Sequence, residues 1–173
     1  SMALSIYLSA VNQKLLFAKR LLAIDVKISL AGHQDIHQAT AIAQSATLQL
    51  QRAWYWHLQD VACNYKLQDP EAVDCASSLV ALLADEGKSP GEAIELNNLA
   101  ADEYSWVSAL LYAHDQLYVR PIARKAEMDA ERLPMVAVDV GGDSIDWDIE
   151  QALDWLNQME ELIERQRDMM IEF

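Results

Sequence analysis

Apolar residues recur at intervals of three and four along the first thirty residues. One set forms a narrow stripe on a helix and comprises Leu4, Leu8, Val11, Leu15, Ala18, Leu22 and Val26. A second ridge beside it comprises Ile6, Phe17, Leu21, Ile24 and Ile28. The pattern predicts a helix from about Ala3 to Leu30 that touches two neighbours. Gly32 is expected to end it, because glycine tolerates the left-handed conformation common after a helix.

A longer helix is predicted from about Asp35 to Tyr65. The Asp35 side chain is suited to accept hydrogen bonds from the first free backbone N–H groups. The inward face comprises Ile36, Ala39, Ala43, Ala46, Leu50, Trp54, His57, Leu58, Val61 and Tyr65. The consecutive residues Trp54, Tyr55 and Trp56 cannot share one face of a helix. Part of this aromatic surface must therefore meet another helix or a partner chain.

The rest of the chain predicts three more helices. One covers residues 69–85, with Pro70 in its first turn. The next follows the sequence Ser89-Pro90-Gly91-Glu92, in which the serine and the glutamate match a capping box, and runs to about Tyr118. The last spans about Ser144 to Ile171. Acidic residues in its first turns and arginines near its end complement the helix dipole.

An irregular segment at about residues 119–143 interrupts this pattern. Residues 121–133 predict a short helix, residues 135–140 predict extended chain, and Gly141-Gly142-Asp143 predicts a turn. The connections between the other helices are short, which favours antiparallel neighbours. The sequence therefore predicts an all-α fold in a single domain over residues 1–173. The expected architecture is an antiparallel four- to five-helix bundle with an irregular insertion before the C-terminal helix.

Charge and composition narrow the classes of function. The net charge is −14, whereas a nucleic-acid-binding protein needs a basic surface to neutralise phosphates. We therefore expect neither nucleic acid nor an anionic membrane surface as a partner. Cys63 and Cys75 are isolated, and no N-terminal basic segment precedes an uncharged apolar core. Apolar runs also fall short of the roughly 18 residues of a membrane span. These features predict a cytoplasmic protein.

The motif Arg52-Ala-Trp-Tyr-Trp-His57 carries the most specific candidate chemistry. Arginine, four residues and histidine resemble the short signature of the HEPN domains, a family of helical-bundle RNases in toxin–antitoxin systems. The resemblance implies a metal-independent RNase in which Arg52 orients the scissile phosphate and His57 assists proton transfer. On a regular helix, however, these side chains point about 140° apart. The competing interpretation is a buried structural histidine.

Two further clusters were considered as ligand or docking sites. His33 and His37 are four residues apart but straddle a helix start, without a third ligand nearby in sequence. Because zinc takes three or four protein ligands, we expect no metal, and no motif calls for a cofactor. A basic cluster comprises Arg120, Arg124, Lys125 and Arg132. It either docks an anionic partner or neutralises nearby carboxylates.

Three stretches together resemble a family of uncharacterised helical proteins of gammaproteobacteria. They are Leu48–Leu58, Glu95–Leu111 and Ala152–Phe173. The markers of the resemblance are an arginine-aromatic step in the first stretch, a Ser-Trp pair in the second and a Glu-Arg-Gln-Arg sequence in the third. The resemblance implies a helical bundle without an assigned activity, so it transfers no functional residues.

Without a catalytic signature, the sequence favours a non-enzymatic protein-interaction or scaffold module, with a homodimer as one expected form. The reasons are the excess of apolar helix ridges and the aromatic surface near Trp56. The predicted ligand-binding or interaction residues are Trp54, Trp56, His57 and His114. A small-molecule pocket lined by Trp54, His57 and His114 is a further hypothesis, and the RNase is the enzymatic alternative.

Overall fold

The computed structural model describes residues 5–120, 122–124, 137–139 and 145–171. Within these residues six helices form a bundle, which confirms the predicted all-α fold. The helices are α1 (Ile6–Leu22), α2 (Ile36–Asn64), α3 (Ala76–Asp85), α4 (Gly91–Ala101), α5 (Trp106–Gln116) and α6 (Ile149–Ile171). A 3₁₀-helix covers Pro70–Ala72, and the short strands β1 (Ile122–Arg124) and β2 (Ala137–Asp139) form an antiparallel pair.

The central helix is α2, and its predicted position is confirmed. Asp35 Oδ1 accepts a hydrogen bond from the backbone N of Gln38 at 3.1 Å, which caps the helix as expected. This helix contacts each of the other five. Buried residues of every helix join one hydrophobic core. Fully buried members are Val11 of α1, Leu50 of α2, Leu79 of α3, Leu96 of α4, Leu110 of α5 and Met159 of α6.

The first helix is shorter than predicted, because α1 ends at Leu22 and not at Leu30. The following residues form a loop in which Ile28 and Gln34 make an antiparallel bridge. Gly32 turns this loop with a φ of +82°. Residues 24–30 alternate apolar and polar side chains, a period of two that fits extended chain. That local alternation prevails over continuation of the helical stripe.

The third helix also begins later than predicted, at Ala76. Pro70 starts a 3₁₀ turn instead, and the chain is extended at Val73. The N-terminus of α3 is held by Ser78, whose Oγ accepts from the backbone N of Cys75 at 3.1 Å. A serine inside the first turn therefore sets the start of the helix, and the proline does not.

The helix predicted over residues 91–118 is divided into α4 and α5. Ser105 Oγ accepts from the backbone N of Ser108 at 3.0 Å, and Ser108 Oγ donates to the carbonyl of Asp102 at 2.6 Å. These local bonds compete with continuation of the helix. The predicted capping box is wrong as well. Pro90 occupies the cap position of α4, and within this described segment no side chain bonds the first N–H groups.

The insertion before the last helix differs in part from its prediction. Ile122–Arg124 is a strand, so the predicted short helix is wrong over these residues. Its partner Ala137–Asp139 confirms extended chain within residues 135–140. Backbone pairing across the insertion prevails over the local helical pattern. The remainder of the predicted helix, the turn at 141–143 and two members of the basic cluster, Lys125 and Arg132, lie outside the described residues.

The last helix begins at Ile149, a few residues after the predicted start. Asp148 Oδ1 accepts from the backbone N of Glu150 at 3.0 Å, which places the acidic cap directly before the helix. An aspartate that satisfies the first N–H groups is a stronger start signal than the apolar pattern alone.

Packing of α1 against two helices fixes the directions of the longest elements. Asn12 bonds Arg167 at 2.8 Å, while Lys19 pairs with Glu160 at 3.4 Å, so α1 and α6 are antiparallel.

Tyr7 near the start of α1 stacks on Trp56 near the end of α2, so these two helices are antiparallel as well. It follows that α2 and α6 run in the same direction.

Candidate functional site

His57 lies in the centre of the bundle with 0% of its surface exposed. Its Nε2 is 2.8 Å from Oε1 of Gln166 on α6. Burial lowers the pKa of the imidazole to about 4, because the charged form would lose its hydration, and the hydrogen bond to Gln166 offsets this only in part. His57 is therefore neutral at neutral pH and has no access to solvent.

Gln166 connects His57 to the surface of the bundle. Its Nε2 donates to Oε1 of Glu95 at 2.6 Å and to the carbonyl of Glu92 at 3.3 Å. Burial acts to raise the pKa of the Glu95 carboxyl, but hydrogen bonds from Arg165 and Gln166 hold that pKa below its usual range. Because the Gln166 nitrogen donates to these two oxygens, its own oxygen accepts from His57. The proton of the neutral imidazole therefore lies on Nε2.

A tyrosine-carboxylate pair joins the end of α2 to α4. Tyr65 donates its hydroxyl hydrogen to Oε2 of Glu92 at 2.6 Å. Burial raises the pKa of the Tyr65 hydroxyl, and the bond to Glu92 raises it further. The side chain of Glu92 is buried in this pair. That contact explains why Glu92 does not form the capping box expected from its position.

Asp60 lies one helical turn after His57 and is 1% exposed. Burial raises the pKa of its carboxyl, while the Ser5 hydroxyl and the positive charge of Arg167 act in the opposite direction. Arg167 is half-buried, and burial lowers the pKa of its guanidinium. Its Nη1 donates to Asn12. The Asp60 carboxyl and the Arg167 guanidinium thus influence each other where α1, α2 and α6 join.

Arg52 lies outside this network. It is exposed on α2, with its guanidinium carbon 4.9 Å from the centre of the Tyr55 ring. His57 is enclosed between helices, so the structure does not bring the two side chains to one site. A neutral, enclosed imidazole is not placed to exchange protons with an RNA hydroxyl. The RNase alternative therefore gains no support from the geometry.

The other predicted interaction residues are also distributed over different places. Trp54 is only 3% exposed and belongs to the core. Trp56 is half-buried, and its ring lies 6.3 Å from that of Tyr7, so the expected aromatic surface meets α1. His114 on α5 is 8% exposed, and its Nδ1 is 3.2 Å from Oδ1 of Asp115.

A crevice of about 380 Å³ lies where α2, α3, α4 and α5 meet. Trp54 contributes to its lining, whereas His57 and His114 do not. Its charged lining residues are Asp74 and Asp115. Electrostatics in this crevice favour a cationic over an anionic small molecule. The pocket hypothesised around both histidines is therefore not the one that Trp54 lines.

In the part of the chain that the structure describes, His, Cys, Asp and Glu side chains form no group of three or more that could hold a metal ion. In the same ranges, every helix is too short or too polar to cross a membrane.

From residue 7 to residue 173 the chain matches the model of a family of unknown function, DUF6586. The chain belongs to this family. No curated protein and no solved structure matches it significantly. Membership of DUF6586 confirms the resemblance to an uncharacterised helical family, while the bacterial group stays a prediction. Because the function of DUF6586 is unknown, a function for this chain has to come from its geometry.

Four residues around His57 were not predicted as its partners: Gln166, Glu95, Asp60 and Arg167. One signal was present, since Gln166 interrupts an otherwise apolar stripe of α6 formed by Met159, Ile163 and Met170. A lone polar residue on such a stripe must find a buried partner. Which helix supplies that partner depends on tertiary packing, and the local pattern does not contain it.

Proposed function

We propose that this chain is a protein-interaction module that binds a second copy of itself through the outer surface of α1 and α2. This surface, the α1–α2 face, comprises Ile6, Phe17, Ile24, Ile28, Leu30, Ile36 and Leu48. The observation that carries the proposal is the set of exposed apolar side chains on α1 and on the loop that follows it.

Exposure of this ridge is high for apolar side chains. Ile6 is 77% exposed, Phe17 40%, Ile24 45% and Ile28 71%. Ile6 and Phe17 lie on α1, whereas Ile24 and Ile28 lie in the loop after it, and in the described chain no helix covers these four residues. Leu48 on the outer side of α2 is 38% exposed. Neighbouring exposed apolar residues on one surface are typical of a contact with another chain.

The two exposed residues Phe17 and Leu48 lie at the same height along the bundle. Tyr7 stacks on Trp56, and the backbone N of Lys27 donates to Gln38. In the antiparallel register set by these contacts, Phe17 is level with about residue 47 of α2. The α1–α2 face therefore has an apolar centre, as specific interfaces do.

Charge distinguishes this face from the rest of the molecule. The first 59 residues contain two of the 27 acidic residues and five of the 13 basic residues, although the whole chain has a net charge of −14. Neither α1 nor the first six turns of α2 contain an acidic residue. Two such faces can meet without the carboxylate repulsion expected elsewhere on the surface.

The helical part of the face supplies more than half of the area of a standard dimer interface. The 17 residues of α1 span about 25 Å, and two helices packed about 10 Å apart present a width of about 20 Å. These dimensions give the helical surface an area of about 500 Å², to which the exposed loop at residues 23–35 adds. A standard interface buries about 800 Å² per partner.

Two-fold symmetry suggests how the copies meet. An axis parallel to the helices places α1 of one copy over α2 of the other. This arrangement separates the two α1 helices, which carry Lys14, Lys19 and Arg20, and it gathers Phe17 and Leu48 of both copies around the axis. Trp56 is not part of the contact, because α1 of the same chain already covers it.

The mass of the protein in solution tests the proposal. Light scattering after size-exclusion chromatography at about 100 µM is expected to give twice the chain mass of 19.5 kDa. Leu48→Glu is expected to give the mass of one chain, because it places a carboxylate in the apolar centre of the interface.

Leu153→Glu is the matched control. Leu153 lies on α6 with 37% exposure, nearly the same as Leu48, and it does not belong to the residues that define the α1–α2 face. The control is expected to remain a dimer, and circular dichroism should show unchanged helix content in both variants. A monomeric unmodified protein, or a Leu48→Glu variant that remains dimeric, contradicts the proposal.

A further inference from the structure

Three polar atoms at the junction of α1, α2 and α6 are buried without a hydrogen-bond partner in the described residues. They are Nδ1 of His57, Oδ1 of Asp60 and Nε of Arg167. His57 is 0% exposed and Asp60 is 1% exposed. Buried polar atoms in folded proteins are nearly always hydrogen-bonded to protein or to ordered water.

The three atoms belong to neighbouring side chains. His57 and Asp60 are three residues apart on α2, a spacing that puts two side chains on one face about 5–6 Å apart at Cβ. Arg167 is next in sequence to Gln166, which bonds His57 at 2.8 Å. The positive charge of Arg167 acts on both His57 and Asp60.

Hydrogen-bond roles at these atoms are complementary to those of a single water. The Gln166 oxygen accepts from His57 Nε2, so His57 Nδ1 presents a lone pair. Asp60 Oδ1 is an acceptor, and Arg167 Nε is a donor. A water molecule has two hydrogens to donate and lone pairs to accept with. It can therefore bond all three atoms, which is the usual number of bonds for a buried water.

We propose that the junction of α1, α2 and α6 is a binding site for one ordered water molecule. The water donates to His57 Nδ1 and to Asp60 Oδ1, and it accepts from Arg167 Nε. It links the buried polar residues of α2 to α6 directly beneath α1.

The outer side of this site is closed by the Arg167 guanidinium. Its Nη1 donates to Asn12 Oδ1 at 2.8 Å, and its Nη2 approaches the carbonyl of Leu8 at 3.5 Å. Arg167 and Asn12 also line a groove of about 320 Å³ between α1 and α6. Solvent in the groove therefore reaches the outer face of Arg167, and movement of this side chain gives the internal water a path for exchange.

A crystal structure of the full chain at about 1.2 Å resolution tests the site. The expected result is one density peak within hydrogen-bond distance, about 2.6–3.2 Å, of all three atoms. A direct contact between Asp60 and His57 Nδ1 overturns the proposal, because a protonated carboxyl would then replace the water. A junction without a peak, in a map that shows other buried waters, overturns it as well.

Variants at Asp60 give a second test in solution. Asp60→Asn keeps an acceptor oxygen, whereas Asp60→Leu removes it and fills the space with methyl groups. In NMR, we expect magnetisation transfer from a long-lived water to the His57 ring protons in the unmodified protein and in Asp60→Asn. We expect this transfer to be lost in Asp60→Leu. Thr47→Val is the control, since Thr47 is buried but bonds the carbonyl of Ala43. Absence of transfer in the unmodified protein, or its persistence in Asp60→Leu, overturns the proposal.

Discussion

Lowering the pH from 6.5 to 4 is expected to destabilise the protein by about 3 kcal/mol relative to a His57→Gln variant. The pKa of His57 is about 4 in the folded state, against 6.5 for the unperturbed side chain. Between these values the unfolded chain binds a proton that the folded chain does not. Protons therefore favour unfolding over this range, and the stability is regained as the pH rises to 6.5.

The comparison with His57→Gln isolates this effect. Glutamine can donate to Gln166 but does not titrate, and both proteins share the opposing contribution of Asp60, whose pKa is raised by burial. Urea unfolding at pH 6.5, 5.5 and 4 gives the free energies of unfolding. His33→Gln, at an exposed position, is the control for loss of a histidine. If the two proteins lose stability in parallel as the pH falls, His57 is not buried and neutral as described.

Leu162→Ala is expected to lower the free energy of unfolding by about 2–5 kcal/mol. Leu162 of α6 is 2% exposed and belongs to the core that all six helices of the described chain share. Its truncation removes buried apolar surface and leaves a cavity that the surrounding helices fill only in part.

Leu153→Ala on the same helix is the matched control for that prediction. Leu153 is 37% exposed, so its truncation is expected to cost less than about 1 kcal/mol. Urea midpoints at pH 7.5 measure both variants. Equal losses would show that the inward and outward sides of α6 have been assigned wrongly.

The helices could be predicted because their burial follows a period of 3.6 residues. The position of α2 agrees with its prediction at both ends, since Asp35 caps the start as expected. The end of α1 could not be predicted from the same stripe, because residues 24–30 also fit extended chain. The break between α4 and α5 depends on serine side chains that bond backbone carbonyls, and an apolar pattern does not record such bonds.

The candidate site was predicted only in part. The inward direction of His57 follows from its place on the α2 stripe, and the separation from Arg52 follows from helical geometry. The partner Gln166 is 109 residues away in sequence, and this contact depends on how α6 packs against α2. Trp56 was expected to meet either another helix or a partner chain. The structure places it against α1, so the exposed apolar side chains of α1 and of the loop after it are the better basis for self-association.

Cross-linking between copies tests the α1–α2 face most directly. Phe17→Cys and Leu48→Cys are prepared separately in a background that lacks the free thiols Cys63 and Cys75, then mixed and treated with a short bismaleimide. The account predicts a covalent dimer that contains one chain of each variant. A yield no higher than that of a Leu153→Cys control on α6 would contradict it.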